Sequence, residues 1–131
     1  MEYEPDYVTL STDNIVVSAC QGLVENDGDY CAYCLKIENN SDTPIQLLGK
    51  DLSLTDENGN SLIFTDHTFK GEILDLYPGE YFEFEDVMPV NTGSAVLYGT
   101  CRIIKANHLQ DIKIPVLELF SNKNAPSVVF N

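Results

Sequence analysis

Four cysteines, two histidines and a large excess of carboxylates are the groups from which this sequence can build chemistry. Cys31-Ala32-Tyr33-Cys34 has the spacing of a zinc knuckle or a redox dithiol, both of which need the pair on a tight turn or at a helix start. The pair lies instead inside Tyr30 to Asn39, a run with the composition of a strand, where residues three apart point to opposite faces. That placement predicts ordinary reduced thiols, mostly buried, with Cys20 and Cys101 isolated along the chain. His67 and Lys70 lie between Asp66 and Gly71, in a loop where a rigid scaffold can offer an anion grip or an acid–base group. His108 is the other histidine, and neither is accompanied by a GxSxG elbow or a Cys-His pattern. Asp56-Glu57-Asn58-Gly59-Asn60 has the look of a calcium loop, but its glycine comes too early and His67 stands where a bidentate glutamate belongs. It reads as a hairpin turn. No catalytic residue, metal or cofactor is expected.

Aromatic side chains in turns and loops are the remaining candidates for contact, because such residues dominate recognition surfaces. Phe69, Tyr77 and Tyr81 fill that role here and point to a protein partner. With 21 Asp and Glu against 7 Lys and Arg, the formal charge is −14. A field of that sign repels phosphate backbones and anionic membranes, and so excludes nucleic acid and lipid surfaces as partners. It attracts cations or a basic protein, and Asp75, Glu80, Glu83, Glu85 and Asp86 are the carboxylates placed to do so. No apolar run reaches the ~18 residues of a membrane span. Met1 to Leu10 shows neither a basic nor an apolar signal region, and the expected location is the cytoplasm.

The elements that must position these groups are strands. Asp27-Gly28 and Asn58-Gly59 are Asx-Gly hairpin signals, each flanked by alternating apolar residues. The first joins Asn14 to Val24 with Tyr30 to Asn39, in which Cys31, Tyr33, Leu35 and Ile37 share a face. The second joins Ile45 to Thr55 with Ser61 to Thr65. Tyr77-Pro78-Gly79-Glu80 predicts a type II turn leading into Tyr81 to Val87, where Phe82 and Phe84 face one way and Tyr81, Glu83 and Glu85 the other. Ser94 to Ile104 and Gln110 to Leu119 complete the set, and Pro115 predicts an edge or a bulge because it cannot donate to a ladder. About seven strands without helical periodicity imply an all-β sandwich of two sheets. One domain over residues 14–120 is expected, with extensions at 1–13 and 121–131; Ser127 to Phe130 reads equally as a further edge strand or a frayed tail.

In order and spacing, Ile37-Glu38-Asn39, Pro44-Ile45-Gln46-Leu47-Leu48, Thr55-Asp56-Glu57-Asn58-Gly59, Gly71-Glu72, Tyr77-Pro78-Gly79-Glu80, Met88-Pro89, Gly99 and Ile114-Pro115 resemble the landmarks of the ApaG family from Asn14 to Leu119. The resemblance implies an immunoglobulin-like or fibronectin type III-like sandwich. It also implies protein recognition, the role such domains have in eukaryotic F-box and polymerase-interacting proteins. Where that family carries a GxGxxG loop, with its implied nucleotide or pyrophosphate binding, this chain has Asp66-His67-Thr68-Phe69-Lys70-Gly71. The family's His-Trp pair is replaced by Asp51-Leu52. A phosphate cradle needs small residues so that backbone N–H groups can approach, and an aspartate at its mouth repels the anion. The expected function is therefore a non-enzymatic protein-interaction module. The alternatives are a small-anion, nucleotide or pyrophosphate binder with hydrolase activity, and an acidic surface that recruits divalent cations or a basic partner.

Overall fold

A computed structural model describes residues 6–22, 30–69 and 71–121. Among them are nine strands: β1 (Val8–Thr12), β2 (Ile15–Gln21), β3 (Tyr30–Asn39), β4 (Ile45–Asp56), β5 (Ser61–Asp66), β6 (Leu74–Leu76), β7 (Tyr81–Pro89), β8 (Ser94–Lys105) and β9 (His108–Phe120). One antiparallel sheet has the order β1-β2-β3-β7, the other β5-β4-β8-β9, with β6 on the same edge of β4 as β5. In immunoglobulin lettering β2-β3-β7 correspond to strands A, B and E, and β5-β4-β8-β9 to C′, C, F and G. The expected sandwich is the observed one. No helix of the described residues is long and apolar enough to cross a membrane.

Two strands exceed the sequence reading. β1 lies inside residues 1–13, expected as an extension, and pairs with β2 through a two-residue turn at Asp13-Asn14, both at positive φ (52° and 63°). β6 is three residues long, too short to show an alternation. Ala106 and Asn107 (φ 51° and 64°) make a second turn of the same kind between β8 and β9. At Asn58-Gly59 only the glycine has positive φ, 84°, and the Gly59 amide donates to the Asp56 carbonyl, so the hairpin has a type I turn with a bulge. The predicted type II turn is present, with Gly79 at φ 87° and the Glu80 amide donating to the Tyr77 carbonyl at 2.9 Å. Asp27-Gly28 and Ser127 to Phe130 lie outside the described residues.

The core lies between the sheets and takes Val17 and Ala19 from β2, Tyr33, Leu35 and Ile37 from β3, Leu47, Leu52 and Leu54 from β4, Phe84 from β7, and Leu97, Cys101 and Ile103 from β8. Two bulges set which residues reach it. On β4 the register shifts between Leu47 and Gly49, so the inward phase passes from Ile45 and Leu47 to Lys50, Leu52 and Leu54. On β9, Pro115 and Val116 together oppose Tyr98, which moves the inward phase from Ile112 and Ile114 to Leu117 and Leu119. Pro115 thus occupies both predicted settings, an edge strand and a bulge.

Candidate functional site

The loop after β5 is built from its own side chains. Asp66 accepts from the Thr68 amide (3.0 Å) and hydroxyl (3.1 Å) through one oxygen and from the Lys50 ammonium (2.9 Å) through the other. The Lys50 hydrogen bond, reinforced by those from Thr68, holds the Asp66 carboxyl below the usual aspartate range. Lys50 is buried, and its ammonium lies 5.0 Å from the ring centroids of both Phe69 and Phe84. Gly49 allows this packing, because a Cβ there would collide with the Asp66 carbonyl and the His67 backbone.

Phe69, expected as a surface contact, is fully buried. It inserts between the sheets edge-on to Phe82 and Phe84, at centroid distances of 6.0 and 5.9 Å, while its backbone pairs with Glu72. A large apolar ring released from water outweighs any contact it could make outside, and the loop around it is thereby anchored. His67 is exposed on this loop, and Lys70 lies outside the described residues.

Tyr77 and Tyr81 are surface residues, 57% and 58% exposed, at either end of the type II turn. Between β6 of one sheet and β7 of the other runs a groove of about 400 Å³, lined by Leu74, Asp75, Leu76, Glu80, Tyr81 and Phe82. A second groove of similar size shares Asp75 and is walled by Tyr77, Pro44 and the Ala106-Asn107 turn. Both ends of the turn are tied to neighbouring side chains. The Glu80 carboxylate accepts from the Tyr77 amide at 2.7 Å, and the Lys36 ammonium stands 4.5 Å over the Tyr81 ring. Behind the turn, the buried Asn39 amide donates to the carbonyls of Thr43 (2.9 Å) and Leu76 (3.0 Å) and accepts from the Ser41 amide and hydroxyl. The Asn39 backbone pairs with Gly79 and Glu80. Neither Asn39 nor Lys50 stood out in the sequence as a positioning residue; a breaker-rich loop after Asn39 was the one available signal.

Cys31 faces the core and Cys34 the outer face of its sheet, as strand geometry requires, and all four cysteines are free thiols. Burial pushes the Cys31 thiol up, and pushes that of Cys101 up to about 12 against the nearby Lys50. Directly opposite Cys34 on β2 is Cys20. His108 is exposed at the start of β9, the edge strand opposite β5, which leads into the loop of His67. The acidic side chains are dispersed: Asp75 accepts from Gln46, Glu80 from the Tyr77 amide, Glu83 from Tyr7, Glu85 from Cys34 and Asp86 from the Val87 amide. No three His, Cys, Asp or Glu side chains converge as metal ligands among the described residues.

No family model matches the chain. Over 121 residues it is 32% identical to Protein ApaG of Beijerinckia indica, covering 88% of this chain and 93% of that relative. It is 30% identical to Protein ApaG of Rhizobium etli over 98 residues, 74% of this chain and 75% of the relative. Among solved structures it is similar to the putative ApaA protein of Bordetella pertussis, with a TM-score of 0.71 at 20% identity over 91% of this chain and 96% of that one. An X-ray structure of another structural genomics target superposes with a TM-score of 0.78 at 18% identity over 88% and 92% of the two chains.

Proposed function

We propose that this chain, which belongs to the ApaG family, is a non-enzymatic protein-recognition module that binds a partner segment along the β6–β7 groove, across Tyr77 and Tyr81. The observation that carries this reading is the pair of exposed tyrosines on a stiff turn, bordering grooves that contain Leu74, Leu76 and Phe82. Aromatic side chains held in place before binding lose little conformational freedom, which is what anchors an interface. Asp75 and the net charge of −14 favour a segment that combines an apolar residue with Lys or Arg. For a small-anion or nucleotide site, the loop from Asp66 offers a carboxylate tied to Lys50 and a core-filling Phe69 in place of a glycine cradle.

Selection of binders from a displayed random-peptide library tests the proposal. Selected peptides should be enriched in basic and apolar residues and weaken with salt. They should lose about thirtyfold in affinity for Tyr81→Ala, the effect of losing one anchoring residue, while a Tyr98→Ala control on the other sheet binds normally. Peptides that bind a Tyr77→Ala/Tyr81→Ala variant as well as the parent would refute it.

A further inference from the structure

We infer that Cys20 and Cys34 are a redox-responsive dithiol, closed by a low-molecular-weight disulfide such as oxidised glutathione into a cross-strand disulfide on the outer face of the β1-β2-β3-β7 sheet. The two are direct register partners across β2 and β3. Both point away from the core, which Val17, Ala19, Tyr33 and Leu35 fill from the alternate positions. The Gly22 amide donates to the Ala32 carbonyl at 2.8 Å, and two residues along the ladder the alternation makes Cys20 and Cys34 a hydrogen-bonded pair as well. Such pairs hold their Cα atoms about 5.5 Å apart, inside the range that a disulfide spans. Their Cβ atoms, about 5 Å apart, must close by roughly 1 Å. The resulting bond is strained and readily reduced, which is the property of a reversible switch rather than a permanent staple.

The Cys34 thiol donates to Glu85 Oε2 at 3.4 Å, on the same outer face as Cys20. Glu85 reaches that position over Gly22, where a side chain would overlap its carboxylate. Cys34 is half-buried and Cys20 buried, so an incoming reagent meets Cys34 first. Neither remaining cysteine competes, since Cys31 and Cys101 both face the core. The Cys34 thiolate attacks one sulfur of oxidised glutathione, forming a mixed disulfide and expelling one glutathione thiolate. The Cys20 thiolate then attacks the Cys34 sulfur and expels the second. Two protein thiols lose two electrons, and their two protons pass to the two glutathione thiols. The titratable groups around Cys34 are Cys20 from β2, Glu85 from β7 and, beyond these, Tyr7 and Glu83. Burial, followed by the hydrogen bond to Glu85, pushes the Cys34 thiol up to about 12. Closure is therefore slow at neutral pH and accelerates about tenfold per pH unit as thiolate forms.

The full chain is incubated in glutathione buffers of graded redox poise, acid-quenched, alkylated unfolded and digested for mass spectrometry. The expected product has lost two hydrogens, links the Cys20 and Cys34 peptides, leaves Cys31 and Cys101 alkylated and reverts with dithiothreitol. Cys20→Ser should stop at one glutathione adduct on Cys34. A link between any other pair overturns the inference. So does a parent chain that, in saturating oxidised glutathione, keeps both thiols alkylatable or retains the adduct without closing.

Discussion

Replacing Phe69 with alanine distinguishes a core residue from a recognition contact, and the structure supplies the magnitude. The side chain is fully buried, meets Phe82 and Phe84 edge-on and lies beneath the Lys50 ammonium. Truncating a buried phenylalanine to alanine costs about 3–5 kcal/mol, combining lost transfer energy with the cavity left behind. That is a large part of the ~5–15 kcal/mol that holds a domain of this size together. At about 3–5 °C per kcal/mol for this chain length, the midpoint of thermal unfolding should fall by about 10–20 °C. Phe69→Leu keeps much of the volume and should cost about half as much. Urea denaturation followed by tyrosine fluorescence reads the change as a shift in midpoint at nearly unchanged slope. Selected peptides should still bind Phe69→Ala below its unfolding transition. A variant as stable as the parent that no longer binds them would make Phe69 a surface contact and refute the packing argument.

The Lys50–Asp66 pair responds unequally to loss of its two ends. Asp66→Ala strands a buried ammonium and should destabilise by about 1–3 kcal/mol, less than for a fully buried pair because water reaches the 41% exposed Asp66 side chain. Lys50→Met removes the charge while keeping the volume and should change urea stability by less than about 1 kcal/mol. Because folding lowers the Asp66 pKa, the pair's contribution is complete above the unfolded value of about 3.9 and is lost as pH falls through the lower folded value. Stability against pH for the parent and Asp66→Asn should therefore converge only on the acid side. Asn39→Ala leaves the Leu76 carbonyl and the Ser41 amide without their partner and should cost about 2–4 kcal/mol. Hydrogen exchange in that variant should quicken first at Thr43 and in the turn at Gly79.

Turns with Asx-Gly or Pro-Gly chemistry were legible because their positive φ demands a particular residue, as Gly59 and Gly79 show. Asp13-Asn14 and Ala106-Asn107 reach the same backbone region without glycine, and an alanine at φ 51° carries no signal in one sequence. Strand phase was readable where the alternation runs unbroken, as in β3 and β7, and was not across the bulge of β4. A strict alternation from Ile45 would turn Asp51 and Ser53 inward, whereas the bulge at Leu47/Gly49 brings in Lys50, Leu52 and Leu54. That bulge conceals Lys50 in the sequence, and with it the ion pair of Asp66, whose effect on an anion is legible. The spacing of Cys31 and Cys34 is visible in the sequence, yet it is the register of β2 on β3 that sets Cys34 opposite Cys20, a relation between strands that cannot be counted along the chain.

The landmarks that resemble ApaG proteins coincide with positions where the backbone admits few alternatives. Asn39 closes the loop to β4 and holds β6, Gly59 and Gly79 provide positive φ, and Ile114-Pro115 marks the bulge that turns Leu117 and Leu119 inward. Of these positions only Gly79 borders the β6–β7 groove. A sequence can therefore keep the landmark series, and with it the sandwich, while changing what its loops offer. In the loop from Asp66 to Gly71 the change is physical: a phosphate cradle requires free backbone amides and room above them, whereas here the Thr68 amide is taken by Asp66 and the Phe69 amide by the Glu72 carbonyl. In this chain Phe69 fills the gap between the sheets and Lys50 ties Asp66 to β4. Among the described residues, a groove on this side of the fold lies between β6 and β7, beside the two exposed tyrosines. The binding proposed for that groove would draw on apolar and aromatic contact with a protein segment, a chemistry for which the acidic field selects basic partners and against phosphate.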